Sequence, residues 1–363
     1  ITIFSQGVNQ SSSGTDKVNS IINCHLITGR IGRPGMGPFS VTGQPNAMGG
    51  REVGGLANML AAHMEIDNPE HRRIVQEFWS SPAIAERAGL KAVDLFDAIH
   101  DGHIKAVWIM ATNPVVSLPD ADKVKAALKR CQLVVVSDCV EQTDTNAFAH
   151  VLLPAAAWGE KDGTVTNSDR RISRQRAFLK LPGEAKPDWW IITQIAKRMG
   201  FAQAFGYESA YEIFREHALL SGIHNDDARA FNIAGLAQLS EREYDELTPI
   251  QWPIPKAGHP GTERLFEDGR FYHEDRKARF VPTTPRAPVQ RRDDEFPLVL
   301  NTGRIRDQWH TMTRSGKSPR LTTHIPEPYI DLHPQDALLA GTREGELVRV
   351  STKWGSMVAR LRM

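Results

Sequence analysis

Gln132-Leu-Val-Val-Val-Ser-Asp138 is a short, continuous apolar run that ends in polar residues. Comparable runs precede and follow it, at Ile104–Ala111 and at Val151–Leu153. Runs without the alternation of a half-exposed strand are typical of strands in a buried parallel sheet. The helical spacing of apolar residues at Asp120–Arg130 predicts a helix that connects the first of these runs to the second. The sequence therefore predicts an α/β fold with βαβ units.

Changes in composition predict four regions. Residues 1–45 hold a strand, a polar loop and a helix, and residues 90–200 carry the βαβ pattern. Residues 201–290 are polar and rich in proline, which predicts a surface-running connection, whereas residues 291–363 are strand-like, which predicts a mainly β domain. Further helices are predicted at Val18–Gly29, Ala92–His100, Asp144–Ala149 and Asp188–Met199, and further strands at Ile1–Phe4, Pro297–Asn301, Glu346–Ser351 and Ser356–Arg362.

The bulk composition limits the classes of function. With 363 residues, 40% of them hydrophobic, the chain is long enough for two or three compact units. A formal net charge of +1 gives no general attraction to nucleic acid or to an anionic membrane. No apolar run approaches the roughly 20 residues that span a bilayer. The three cysteines form no CxxC pair, which predicts buried thiols in a reducing compartment rather than disulfides or a metal site.

Both ends of the sequence resemble the interior of a longer chain rather than natural termini. Ile1–Phe4 reads as a strand already under way, without an initiator methionine, and the last residues read as a two-stranded hairpin. Such a hairpin is at best marginally stable alone. We therefore expect the chain to be an internal or C-terminal piece of a longer protein, so its lack of a targeting signal carries little information.

Polar loops follow three of the predicted strands, at Ala111–Pro114, Ser137–Asp138 and Glu160–Gly163. Parallel strands bring such loops to one edge of the sheet, where open α/β sheets bind their ligands. Each loop alone could be an ordinary turn between elements, but three such loops at the same edge of the sheet favour a binding site. The surrounding stretch Trp158–Arg171 is dense in groups that hold a large polar ligand: Lys161, Asp162, Thr164, Thr166, Asn167, Asp169, Arg170 and Arg171.

Asn301–Arg314 is a second candidate site. Arg304 and Arg314 are suited to bidentate contacts with phosphates, and Trp309 and His310 to stacking on a planar ring. The alternative is a basic surface loop, which an exposed Trp309 makes less favourable. Common nucleotide motifs are absent, since there is neither GxxxxGK[ST] nor a strand–GxGxxG–helix arrangement, so NAD and ATP are poorly supported. The histidines are scattered, and no metal ligands are predicted.

Six stretches, in the same order, resemble the molybdenum bis-molybdopterin guanine dinucleotide oxidoreductases, and the greatest similarity is to the cytoplasmic assimilatory nitrate reductases of bacteria. The resemblance implies two pseudo-symmetric Rossmann-like α/β domains of the formate dehydrogenase and DMSO reductase type and a double-psi β-barrel. It assigns residues 1–45 to the end of one α/β domain, 46–200 to the other, 201–290 to a connector and 291–363 to part of the barrel. The six stretches are Gly7–Gln10, Thr42–Pro45 with Gly49–Glu52, Asn113–Pro114 with Leu118–Asp120, Trp158–Arg171, Gly183–Trp189 and Asn301–Arg314.

The resemblance also implies site residues. Thr42 and Gln44 would lie on the substrate side. Formate dehydrogenases of this class carry arginine where this chain has Thr42, and a neutral hydroxyl offers no bidentate clamp for a carboxylate, which favours nitrate over formate. The implied cofactor contacts are Gln6, Gln10, Asn113, Ser137, Asp138, Lys161, Asp188, Thr302, Gly303, Arg304, Gln308, Trp309, His310 and Thr311.

The implied reaction is the reduction of nitrate to nitrite by oxygen-atom transfer at bis-molybdopterin guanine dinucleotide with molybdenum. The molybdenum ligand and the iron–sulfur cluster would lie upstream of this chain, which is expected to be inactive alone. The implied partners are nitrate, or formate or another small oxyanion, and an electron-donor protein or domain, without nucleic acid or membrane insertion and in the cytoplasm. Two alternatives stay open: a formate dehydrogenase-like molybdoenzyme and a non-catalytic α/β module of an electron-transfer complex.

Overall fold

The computed structural model describes residues 1–363. The chain begins with two strands that pair in parallel, Thr2 opposite Pro38, on either side of a long helix. The predicted strand at Ile1–Phe4 is thus confirmed, as is the helix at Val18–Gly29, which begins earlier than predicted. Gly14 permits the joint between the first two helices, because a Cβ there would overlap the carbonyl of Asn9. The elements are β1 (Thr2–Phe4), α1 (Gln6–Asn9), α2 (Gly14–Ile27), β2 (Pro38–Ser40), α3 (Ala47–Glu52) and α4 (Pro69–Phe78).

The predicted βαβ unit is confirmed. Three strands form a parallel sheet in which Met110, Ser137 and Leu153 lie side by side. Two helices pack on one face, and Ile99, Leu128 and the strand residues beneath them form a hydrophobic core. The predicted helix at residues 144–149 is a single 3₁₀ turn. The elements are α5 (Ala92–His100), β3 (Ala106–Met110), α6 (Pro114–Ser117), α7 (Ala121–Arg130), β4 (Leu133–Asp138) and β5 (Val151–Pro154).

The polar stretch after β5 folds into a β-hairpin, which the sequence did not predict. Its two strands pair antiparallel, Thr166 opposite Ile172, and a third short strand joins them. The Asn167 side chain closes the turn by accepting hydrogen bonds from the backbone of Asp169 and Arg171. The elements of this part are β6 (Gly163–Thr166), β7 (Arg171–Gln175), α8 (Asp188–Ala196), α9 (Ala210–Gly222), α10 (Glu241–Asp245) and β8 (Ile250–Gln251).

Residues 210–254 do not run over the surface, so the prediction of a surface-running connection is wrong for this part. They contribute Phe214, Phe231 and Trp252 to a core of 18 buried residues that also contains Met64 and Val75. The prediction followed the proline content of residues 201–290 and overlooked the apolar face of α9, which packs on this core. Residues 252–314 form isolated turns but no helix or strand. The domain boundaries at 45, 200 and 290 stay predictions.

The last region is a small sheet. The predicted hairpin is confirmed, and a third strand that was not predicted pairs parallel to it, Ile330 opposite Leu361. The predicted strand Pro297–Asn301 is wrong: the segment pairs with no strand, and Val299 is 74% exposed. None of the helices combines the length and apolar character needed to cross a bilayer. The elements are α11 (Pro319–Thr322), β9 (Tyr329–Asp331), α12 (Pro334–Leu339), β10 (Leu347–Thr352) and β11 (Gly355–Arg362).

Candidate functional site

The carboxyl edge of the β3–β4–β5 sheet gathers three of the predicted site residues. Asn113 is buried, and its Oδ1 accepts a hydrogen bond of 2.6 Å from the Thr145 hydroxyl. Ser137 is fully buried and accepts one of 2.8 Å from the Trp108 indole N–H. Asp138 is half-buried, and only its Oδ1 accepts a hydrogen bond, from the backbone N–H of Val140. Asp138 therefore offers the freest side chain of the three, while Ser137 lies beneath the edge.

Lys161 and Asp188 meet at the same end of the sheet. The Lys161 Nζ lies 2.5 Å from the Asp188 Oδ2, and about a third of each side chain is exposed. The preceding segment runs beside β5, because the Lys186 N–H donates to the Pro154 carbonyl and the Lys186 carbonyl accepts from Ala156. Asp188 opens α8, where the helix dipole favours a negative charge. The structure thus places a paired ammonium and carboxylate next to β5.

The loop Asn301–Arg314 lies against this edge and against the N-terminal region. Arg314 Nη2 donates to Cys139 Sγ at 3.2 Å, and Cys139 directly follows Asp138. A Cβ built on Gly43 would lie 3.5 Å from the Trp309 ring and 3.7 Å from the Gln6 Nε2. A hydrogen bond and a close approach therefore bring the loop between the edge of the sheet and the segments that carry Gln6 and Gly43.

Within this loop, Gln308 is 6% exposed and neither its Oε1 nor its Nε2 has a hydrogen-bond partner. An unsatisfied buried polar group costs about 1–3 kcal/mol, which a polar ligand would offset. Trp309 is 41% exposed, with the His310 ring centroid at 4.3 Å and the Arg304 guanidinium at 5.5 Å from its ring centroid. Thr302 and Gly303 are exposed, whereas Thr311 bonds to Thr313 at 2.7 Å.

The remaining predicted residues are exposed or half-buried. Gln6 and Gln10 lie at the two ends of α1, and the Gln6 side chain accepts a hydrogen bond from Ser5. The Thr42 hydroxyl donates to the Gln44 carbonyl at 3.0 Å, and the Gln44 side chain is exposed without a hydrogen bond. Gln6 therefore joins the site beside Gly43, while no contact connects Gln10 to it.

Part of the polar stretch Trp158–Arg171 serves the fold and not a ligand. Arg170 donates to the carbonyls of Trp252, Thr262 and Glu263. Arg171 donates to the Gln251 side chain at 2.9 Å. Arg170 attaches the segment after β8 to the hairpin and Arg171 attaches β8 itself, so the two guanidinium groups that were predicted to hold a ligand are engaged in contacts within the fold. The prediction of buried thiols holds for Cys131 alone, since Cys24 is exposed and Cys139 half-buried.

Glu52 is a polar residue whose burial the sequence did not reveal. It is 4% exposed and accepts hydrogen bonds from Thr166 at 2.8 Å and from Trp252 at 2.7 Å. Burial raises its pKa to about 7, against the lowering effect of the two donors. The only signal was its place at the end of the glycine-rich stretch Gly49–Glu52. No group of three or more His, Cys, Asp or Glu side chains is arranged to hold a metal ion.

Two family models match the chain. The model of the molybdopterin oxidoreductases matches residues 1–198, which is more than half of the chain. The chain belongs to the molybdopterin oxidoreductase family. The model of the molybdopterin dinucleotide binding domain matches residues 298–363, which include the loop with Gln308 and Trp309. The family to which the motifs pointed is thus confirmed.

Curated relatives of this molybdopterin oxidoreductase chain cover it almost completely. A nitrate reductase of Klebsiella oxytoca is 55% identical over 99% of the chain, which corresponds to 41% of that protein. The assimilatory nitrate reductase catalytic subunit of Bacillus subtilis is 35% identical over 99% of the chain and 49% of that protein. The F420-dependent formate dehydrogenase subunit alpha of Methanocaldococcus jannaschii is 32% identical over 99% and 51%. The chain spans about half or less of these relatives.

Among solved structures, the acetylene hydratase of Pelobacter acetylenicus superposes with a TM-score of 0.49 at 18% sequence identity. The superposition covers 76% of this chain and 38% of that structure.

Proposed function

We propose that this chain is part of a molybdenum enzyme that binds bis-molybdopterin guanine dinucleotide and reduces nitrate to nitrite. The observation that carries the proposal is the meeting of three segments around one edge. Arg314 contacts Cys139 at the carboxyl end of β4, and Trp309 lies over Gly43 beside Gln6. A ligand at this place would touch both α/β regions and the C-terminal loop at once.

The residues at this place fit such a cofactor. Gln308 presents a buried amide with no partner, and a guanine or pterin edge supplies matching donors and acceptors. The exposed ring of Trp309 is available for stacking. Lys161 and Arg304 supply positive charge for phosphates, and Asp138 has a free carboxylate oxygen for hydroxyl or amino donors. When bound, the cofactor would supply the oxygen-atom transfer and electron chemistry.

The roles of the chain's own residues follow from these positions. Gln308 and Asp138 would orient the ligand by hydrogen bonds, and Lys161 would hold phosphate oxygens while Asp188 keeps its ammonium in place. Thr42, whose hydroxyl donates to the Gln44 carbonyl, would line the substrate side with neutral groups. Electrons would arrive from a donor protein or domain through an iron–sulfur cluster held outside this chain. Nitrate consumes two electrons and two protons and yields nitrite and water.

We propose nitrate rather than formate as the substrate for two reasons. The two relatives named nitrate reductase are 55% and 35% identical to the chain, whereas the relative named formate dehydrogenase is 32% identical. In addition, Thr42 stands at the position where the resemblance assigns an arginine clamp to formate dehydrogenases. The name of the Bacillus subtilis relative also supports a role in nitrate assimilation, which we expect in the cytoplasm. Fractionation of the producing cells checks that location.

The test uses the full-length protein. Its molybdenum content, the guanosine monophosphate released by acid, and the rate of nitrate reduction with a reduced viologen are measured together. We expect two guanine nucleotides per molybdenum and nitrite formation well above formate oxidation. Formate oxidation without nitrite formation would support the formate dehydrogenase-like alternative. A protein without molybdenum and without guanine nucleotide would support the non-catalytic module.

A further inference from the structure

One side-chain amide contacts the backbone of the lysine loop, defined as Trp158–Gly163, at two points. Gln175 Nε2 donates to the carbonyl of Trp158 at 2.7 Å and to the carbonyl of Lys161 at 3.3 Å. Gln175 lies at the end of β7, opposite Gly163 in the antiparallel register. One side chain thus connects the start of the loop to the residue that carries the ammonium group.

Neighbouring contacts hold the rest of the lysine loop. Arg174 Nη1 donates to the carbonyl of Gly163 at 2.5 Å, and the N–H of Ala177 donates to Asp162 Oδ1 at 3.1 Å. At the start of the loop, the Glu160 carboxylate accepts from the N–H of Ala157 at 2.7 Å. These contacts fix the backbone and its acidic neighbours, while the Lys161 ammonium is directed to Asp188.

Arg174 and Gln175 contribute to this arrangement in different ways. The Arg174 side chain is 3% exposed, pairs with Asp245 at 2.9 Å and lies 4.1 Å from the centroid of the Tyr244 ring. Its replacement would therefore disturb the packing of α10 as well as the loop. Gln175 is half-buried and its amide contacts only the loop, so its replacement tests the position of Lys161 separately.

We infer that Gln175 is a positioning residue that sets Lys161 for contact with the phosphates of a bound dinucleotide; the inference rests on the proposed function. A long lysine side chain has many rotamers, so a fixed backbone carbonyl limits where its ammonium can lie. Contacts of this indirect kind hold a binding group in the geometry that its ligand requires. Gln175 itself would touch no part of the ligand.

The experiment compares variants of the full-length, cofactor-loaded protein. Gln175→Glu is nearly isosteric but places a carboxylate, which donates no hydrogen bond, against two carbonyl oxygens. Lys161→Ala removes the proposed phosphate contact, and the double variant combines the two changes. Gln76→Glu is the matched control, since Gln76 also donates to a backbone carbonyl, that of Ser81, but on α4. The readouts are the rate of guanine nucleotide loss during dialysis and hydrogen–deuterium exchange of residues 158–163.

Loss of the two hydrogen bonds is expected to raise the rate of nucleotide loss about tenfold in the Gln175→Glu variant. The exchange of residues 158–163 rises in this variant and stays unchanged in the control. In the Lys161→Ala background, the Gln175 change adds nothing further, because a residue that acts through Lys161 has no effect once Lys161 is gone.

Two results would overturn the inference while the proposed function stands. One is a Gln175→Glu protein that retains guanine nucleotide as the wild type does. The other is an effect of the same size with and without Lys161, which indicates that Gln175 acts independently. A wild-type protein that contains no guanine nucleotide contradicts the proposed function itself and the inference with it, so the two failures are distinguishable.

Discussion

The buried carboxyl group of Glu52 joins three segments that are distant in sequence. It ends α3, accepts a hydrogen bond from Thr166 in the hairpin, and accepts another from Trp252 after β8. Neither donor carries a charge, so no cation compensates the cost of ionising a buried group, and burial raises the pKa of Glu52 to about 7. The group is therefore best accommodated when it is protonated.

We predict that Glu52 makes the folded state less stable as the pH rises. The pKa is about 7 in the folded protein and 4.5 as the ordinary value, so the folded state binds the proton more tightly. Its contribution is complete below pH 4.5 and is lost as the pH rises through 7. The full loss is about 3 kcal/mol. Denaturant unfolding at several pH values measures it.

Glu52→Gln removes the titrating group and resembles the protonated acid, so its free energy of unfolding should fall less between pH 5 and pH 8 than that of the wild type. The control is Glu184→Gln, at an exposed residue that makes no hydrogen bond. Burial also lowers the pKa of His63 to about 4, which destabilises the fold on the acid side but is common to both proteins. Equal pH dependence in wild type and Glu52→Gln would contradict the prediction.

The hairpin of β6 and β7 holds the segment that follows β8. Its turn residue Arg170 reaches three backbone carbonyls of that segment, and burial lowers the pKa of its guanidinium. Hydrogen bonds from charged donors contribute about 1.5–3 kcal/mol each at most, and several share one side chain here. The hairpin is thus an anchor for residues 252–263, which form no helix or strand of their own.

We expect Arg170→Ala to lower the free energy of unfolding by about 2–4 kcal/mol, because three carbonyls lose a charged donor together. Hydrogen–deuterium exchange should rise in residues 252–263 before the rest of the protein opens. Arg87→Ala, at an exposed arginine without a hydrogen bond, is the control and should change the free energy of unfolding by less than about 0.5 kcal/mol. Unchanged exchange in residues 252–263 would show that the segment is held by other contacts.

The elements that were predicted from the sequence are those with local signals. The helix at Ala92–His100 and the strand at Gln132–Ser137 follow from periodicity within the element itself, and the parallel sheet then places Asp138 at its carboxyl edge. The hairpin was missed because its polar residues are satisfied by partners about 80 residues away, as Arg170 is by the Trp252 carbonyl. The hydrogen bond that Ser137 accepts from Trp108 was missed for the same reason, since the two residues are 29 positions apart.

The C-terminal loop connects regions that lie far apart in the chain. Residues 298–363 match their own family model, and their sheet packs around Ala337, Ala359 and Leu361. The site is defined by the hydrogen bond from Arg314 to Cys139 and by the close approach of Trp309 to Gly43. Two small contacts hold less tightly than a continuous core, so we expect the loop to open more easily than the parallel sheet unfolds.

Removal of both contacts is therefore expected to release the loop while the core stays folded. Trypsin cleavage after Arg304 and Arg306 reports the opening, since both are exposed residues of the loop. We predict that the double variant Trp309→Ala with Arg314→Ala is cleaved there about tenfold faster than the wild type, and each single variant less, because either contact partly holds the loop. Thermal unfolding followed by circular dichroism should give nearly the same midpoint for all four proteins.

Arg320→Ala provides the matched control for this comparison, because Arg320 is exposed and its guanidinium makes no hydrogen bond. It should leave the cleavage after Arg304 at the wild-type rate. A double variant that is cleaved no faster than this control would mean that the loop is held by contacts other than those of Trp309 and Arg314. The meeting of three segments at the edge of the sheet would then lose the two interactions that define it, and the proposed cofactor site would lose its main structural support.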